Sequence, residues 1–138
     1  LRACEGTPGP RTPEERTALQ RFPGFGALAL HIFPDPVTRQ YRSPRWQELG
    51  ERLQAVLTPE EYASALKSTF SAYYTSPLII TTLFAALKHL GIPDNATVLE
   101  PGMGHGSFLA LAPPTLMFIG VELDLISALI AKELHGDR

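Results

Sequence analysis

Cysteine is almost absent from this sequence: Cys4 is the only one in 138 residues. An intrachain disulfide framework and a cysteine-rich zinc site are therefore excluded. With no histidine partner near it in sequence, Cys4 also reads as an improbable nucleophile. This usage fits a reducing, cytoplasmic setting. Charge is sparse as well, at 19% of residues, and the 12 basic and 14 acidic side chains nearly cancel to −2. A strongly basic nucleic-acid-coating protein is excluded, although a local basic face is not. Long apolar runs are missing too. The two stretches without Asp, Glu, Lys or Arg, Ser68–Leu87 and Pro101–Val121, are broken by prolines, hydroxyl residues or glycines. A membrane-spanning helix needs about 20 mostly apolar residues in succession. No basic-then-apolar leader precedes the body, and the chain begins at Leu1, which reads as a fragment or processed piece.

What is present is enough for one core. Apolar residues make up 44% of the chain, which argues against disorder as a description of the whole. Charge and proline are front-loaded: residues 1–57 hold eight of nine arginines against six acids, and seven of 13 prolines. Residues 58–138 carry four basic and eight acidic residues. This predicts a loosely ordered helical and loop segment over 1–57 and a compact part over 58–138.

Local signals place the elements. Thr-Pro-Glu-Glu occurs at 12–15 and 58–61. Threonine at the N-cap, proline at the first turn and glutamate three residues on form a capping box. Helices are predicted over Pro13–Arg21 and Pro59–Phe70, with another over Pro44–Leu57 from the spacing of Trp46, Leu49, Leu53 and Val56. Phe22-Pro23-Gly24-Phe25-Gly26 reads as a turn and Phe33-Pro34-Asp35-Pro36 as extended. Ser76-Pro77 opens an apolar-striped helix that runs to Gly91. Ala96–Glu100 reads as a buried strand, Ser107–Ala112 as a short helix stopped by Pro113-Pro114, and Met117–Glu122 as a second strand. Asp124 is placed to cap a helix over Leu125–Leu134. Strand, glycine loop, helix, strand and helix form the start of an α/β fold with a parallel sheet.

The strongest chemical signal is Glu100-Pro101-Gly102-Met103-Gly104-His105-Gly106, between a strand and a helix. Glycines permit a tight turn and close approach of a ligand to the backbone, and amides at the following helix start face it. Glu122 follows Gly102 by 20 residues at the end of the next strand, where a carboxylate accepts hydrogen bonds from ribose hydroxyls. The plain alternative is a tight turn followed by a strand-end acid. The G-x-G-x-G spacing departs from the dinucleotide fingerprint G-x-G-x-x-G, which disfavours a nicotinamide cofactor.

The segment Val98–Phe108 resembles the cofactor loop of class I S-adenosylmethionine-dependent methyltransferases. Gly120-Val121-Glu122-Leu123-Asp124 resembles the acidic motif that follows it. Tyr73-Tyr74-Thr75-Ser76-Pro77 is similar to the motif preceding the cofactor loop in N6-adenine DNA methyltransferases. With Leu57–Tyr62 ahead of it, the wording is similar to large methylase–helicase fusion proteins of phages and mobile elements, in which Phe22–Gly26 would be a degenerate aromatic-glycine motif. The resemblance implies a Rossmann-like methyltransferase sheet of which two strands are present, binding S-adenosylmethionine. It implies that Glu100 and Pro101 lie near the methionine ammonium and that Gly102, Gly104 and Gly106 shape the methionine pocket. Glu122 would bind the ribose, and Leu123 and Asp124 would border the adenine. Tyr74, Thr75 and Ser76 would approach the carboxylate end. Partners would be DNA and the remainder of a methyltransferase/helicase chain, with no membrane.

The family's catalytic motif, Asn or Asp followed by two prolines and an aromatic, is missing from these 138 residues. Ala112-Pro113-Pro114-Thr115 lacks its polar and aromatic ends. No catalytic residue is assigned, and the chain alone is expected to be inactive. Two other readings stay open: a methyltransferase acting on RNA, protein or a small molecule, and a non-catalytic truncated binding module. His105 reads as a loop bystander, and His31, His89 and His135 lack metal-ligand spacing. Arg39, Arg42 and Arg45, with Tyr41 and Trp46, read as a solvated helix entry, with phosphate contact as the rival reading.

Overall fold

The computed structural model describes residues 11–68 and 73–136. Two compact units divide between Ala72 and Tyr73, whereas the sequence reading draws its line after Leu57. Cys4, the expected helical residues 69 and 70, and Arg138 lie outside the described residues.

The described part of the amino-terminal unit is helical. Helices α1 (Pro13–Gln20), α2 (Ala29–Ile32), α3 (Pro44–Val56) and α4 (Pro59–Ser68) follow in order. Both capping boxes form. Glu15 N–H donates to Thr12 Oγ1 at 3.2 Å, and Thr12 N–H to the Glu15 carboxylate at 2.9 Å. The Thr58–Glu61 pair repeats this at 3.1 and 2.7 Å. The stretch read as extended is so only as far as Asp35. There the carboxylate accepts from Val37 and Thr38 N–H at 2.9 and 2.7 Å and turns the chain. Those amides hold the Asp35 carboxyl below its ordinary range.

Aromatic rings tie this unit together. Phe22, Phe25, Phe33 and Tyr62 form an edge-to-face series with centroids 5.3–5.5 Å apart. Trp46 of α3 stacks on His31 of α2 at 5.0 Å. The Tyr62 hydroxyl, hydrogen-bonded with Tyr41, is pushed up to about 12, mainly by burial. Helices α2 and α3 cross where Gly50 is buried. A Cβ at Gly50 would overlap the Ile32 carbonyl oxygen and the Tyr41 ring. A backbone carbonyl cannot swing aside, so the clash outweighs the roughly 1 kcal/mol of helix propensity that alanine adds. Gly50→Ala is expected to cost this unit about 1–2 kcal/mol, read as a lower urea midpoint.

The carboxy-terminal unit is α/β. Its order is α5 (Pro77–His89), β1 (Thr97–Pro101), α6 (Ser107–Leu111), β2 (Met117–Val121) and α7 (Leu125–His135). The strands pair in parallel with Thr97 opposite Met117 and Pro101 opposite Val121. β1 begins one residue later than expected because Ala96 N–H is used in a turn to Pro93 O, 3.0 Å away. Ile80, Phe84 and Leu116 form the core, with Leu87, Val98, Phe108 and Phe118 packed against it. The Phe84 ring meets Phe108 and Phe118 edge-on at 6.2 and 6.4 Å. Val98 and Phe118, paired in register, thus put one sheet face against α5 and α6. The opposite face is bare: Leu99, Met117, Ile119 and Val121 are each more than half exposed. Among the described residues no helix is long and apolar enough to cross a membrane.

Candidate functional site

Parallel pairing brings the carboxyl ends of β1 and β2 side by side, and the glycine loop leaves from that end. Gly102 and Met103 N–H both donate to Val121 O, at 2.7 and 3.0 Å, so the loop folds back over β2. Gly102, Gly104 and Gly106 have φ of 77°, 57° and 90°. Side-chain-bearing residues rarely adopt that region, which is why the turn needs glycine there. The space beside Gly102 is open.

Glu122 lies just past β2 and faces this loop. Its two oxygens accept from Gly104 N–H and Asp124 N–H, each at 2.7 Å. The strand-end acid and the glycine loop are therefore one assembly. A carboxylate offers about four acceptor positions, so these two amides leave room for hydroxyl donors.

Tyr74 closes the loop from the side. Its ring stacks on His105 at 4.7 Å and 21° and would lie 3.0 Å from a Cβ on Gly104. Burial raises the Tyr74 hydroxyl, which is hydrogen-bonded with Ser127. Burial also lowers His105, so its imidazole is held toward the neutral form. Tyr73, by contrast, is 90% exposed.

Glu100 is the next-to-last residue of β1. Its carboxylate is half-buried and has no hydrogen-bond partner among the described residues. Burial pushes its pKa up. Pro101 closes β1 and is exposed. Thr75 is half-buried before α5, and Ser76 caps that helix by accepting from Ile79 N–H at 3.5 Å. Leu123 is 98% exposed beside Glu122. Asp124 turns into α7, where one oxygen accepts from Ser127 N–H and Oγ at 2.9 and 2.7 Å.

Glu100, Gly102, Gly104, Gly106, Glu122 and Tyr74 are thus gathered at the strand ends, with Leu123 at the margin. Thr75 and Ser76 lead into α5, and Asp124 caps α7. The sequence reading missed Ser127 and the packing of Tyr74 on His105. Serine three residues after Asp124 was a usable sign of the cap. The stack had no local sign, since its rings lie 31 positions apart. Behind the loop, Met103 folds over Gly120, where a Cβ would strike its sulfur. Among the described residues no group of three His, Cys, Asp or Glu side chains is arranged to hold a metal ion. The chain matches no protein-family model, no curated protein and no solved structure.

Proposed function

We propose that this chain is the cofactor-binding part of an S-adenosylmethionine-dependent N6-adenine DNA methyltransferase, with a Rossmann-like sheet of which β1 and β2 are two strands. The observation that carries this reading is the Glu122 carboxylate bonded to Gly104 N–H, which joins a ribose-type acceptor to a glycine loop at the strand ends. The residues present fit the cofactor. Glu100 supplies an unsatisfied anion for a methionine ammonium, and Gly102 leaves open space for close approach. Glu122 retains acceptor capacity for ribose hydroxyls, and exposed Leu123 offers apolar cover for an adenine. Tyr74, stacked on His105, walls the side.

When bound, S-adenosylmethionine supplies an electrophilic methyl group on sulfur. The chain's own part is to hold the ammonium and ribose and so fix where that methyl points. No Asn/Asp-Pro-Pro-aromatic segment stands in the sequence to hold a flipped adenine. The chain alone is therefore expected to bind cofactor without methylating an adenine oligonucleotide. The bare sheet face supports the same reading, because a two-strand sheet with one apolar face uncovered is marginal by itself.

Calorimetric titration with S-adenosylmethionine, repeated with NADH as competitor, tests the proposal. Binding that NADH does not displace is the expected result; no binding, or preference for NADH, overturns it. Glu100→Gln should separate binding from stability. The half-buried carboxylate has a raised folded pKa, so its charge opposes folding above the ordinary value of 4.5 and the penalty vanishes as it is protonated. Removing the charge should therefore raise the thermal midpoint slightly at pH 7 while weakening cofactor binding. In the wild type, cofactor affinity should fall as pH drops through the raised Glu100 pKa.

A further inference from the structure

A recess of about 220 Å³ opens at the amino ends of β1 and β2, whereas the glycine loop leaves from their carboxyl ends. It is lined by α5, by the turn that follows α5, by Val98 near the start of β1 and by Leu116 just before β2. Phe84 and Leu116 are buried and belong to the core. Every lining residue is apolar except Lys88 and Asp94. Both of these are exposed, and neither side chain has an ion-pair or hydrogen-bond partner among the described residues. They therefore do not neutralise each other. The walls stand without a ligand. Phe84 is held edge-on by Phe108 and Phe118. Gly91 turns the chain after α5 with φ of 78°. Ile92 N–H donates to Leu87 O at 3.1 Å, and Leu116 N–H to Pro113 O at 3.2 Å. A pre-formed recess spares a ligand the cost of ordering it.

Size and charge together narrow the ligand. The volume lies below the roughly 300–1,000 Å³ of sites that enclose drug-sized ligands. At about 30 Å³ for each water-sized group, the recess holds about seven such groups. That suits a side chain the size of leucine or phenylalanine and is too small for a nucleotide. The apolar lining favours such a group by removing it from water. The two charged residues then set the polar part. A simple acid would meet Lys88 but be repelled by Asp94, and a simple amine would meet the reverse. A zwitterion gives each of them an ionised hydrogen-bond partner. We propose that this recess binds a free α-amino acid with an apolar side chain, its carboxylate at Lys88, its ammonium at Asp94 and its side chain against Phe84 and Leu116. No residue of the glycine loop takes part, and neither does Glu122, so the recess and the cofactor site stand or fall separately.

The test is a titration of the ¹⁵N-labelled 138-residue chain with free phenylalanine. Saturable shifts are expected at the amides of Lys88, Ile92, Asp94 and Leu116, with Gly102, Gly104 and Gly106 unmoved. Phenylpropionate lacks the ammonium and phenethylamine lacks the carboxylate. Each should bind about tenfold more weakly, the order of one lost hydrogen bond to a charged group. Free glycine keeps both charges without the side chain and should not bind. Lys88→Met and Asp94→Asn should each lower the affinity for phenylalanine about tenfold. Lys88→Met should leave phenethylamine binding alone, and Asp94→Asn should leave phenylpropionate binding alone. Both side chains are exposed, so the fold should persist by circular dichroism. Ala85→Phe, at an exposed lining position of α5, should fill the recess and abolish binding. No saturable shift, shifts at the glycine loop instead, or either analogue binding as tightly as phenylalanine would each overturn the proposal.

Discussion

Glu122→Ala is expected to weaken S-adenosylmethionine binding at least about 100-fold. The magnitude follows from what the carboxylate holds. Gly104 and Asp124 N–H each lose an acceptor at 2.7 Å, and hydrogen bonds to a charged group contribute about 1.5–3 kcal/mol each. The first loss frees the glycine loop from the end of β2, and the proposed ribose acceptor disappears with it. Glu122→Gln should fall between. Its amide oxygen can serve one N–H, but its NH₂ group would face the other donor. Titration calorimetry on folded protein, with the fraction folded checked by circular dichroism, reads this directly. A Glu122→Ala chain that binds cofactor like the wild type would remove Glu122 from the site and reduce it to a loop brace.

The second large effect is expected in the core. Phe84 contributes a buried ring from α5 that meets α6 through Phe108 and β2 through Phe118. Phe84→Ala leaves a cavity at that junction, and such changes cost about 3–5 kcal/mol. Small domains bury little surface and have little stability to lose. The carboxy-terminal unit should therefore be largely unfolded at 37 °C in this variant, with a matching fall in the urea midpoint. Saturating cofactor should recover part of the loss, because a ligand that binds only the folded state stabilises it. An unchanged midpoint would mean that α5 does not cover the sheet through Phe84.

Much of this was legible because it is encoded locally. Thr12 with Glu15, Thr58 with Glu61, Ser76 and Asp124 each cap the helix that their spacing predicts. Pro113-Pro114 ends α6, and the run after Asn95 becomes a strand shifted by one residue. The α/β order and the parallel pair follow from those elements. What was not legible depends on tertiary packing. Helix α2 has only four residues and no side-chain cap, so it carries no start signal. The ordered aromatic series from Phe22 to Tyr62 joins residues far apart in sequence, and nothing in the front-loaded prolines foretells it.

The site divides the same way. The glycine loop and Glu122 were readable as a motif with a strand-end acid. That Glu122 would take the Gly104 amide itself was not, because it depends on how far the loop folds back over Val121. Tyr74 was chosen for its place before α5, yet its ring packs on the loop through His105, a residue read as a bystander. Asp124, expected both to cap α7 and to border an adenine, caps α7 through one carboxylate oxygen.

The most direct measurement is a titration of ¹⁵N-labelled protein with S-adenosylhomocysteine, following the backbone amides of Gly102, Gly104, Gly106 and Asp124. Saturable shifts concentrated at those four amides, and lost in Glu122→Ala, are the predicted result. An unchanged spectrum at millimolar ligand, or shifts confined to residues away from the strand ends, would contradict cofactor binding at this loop.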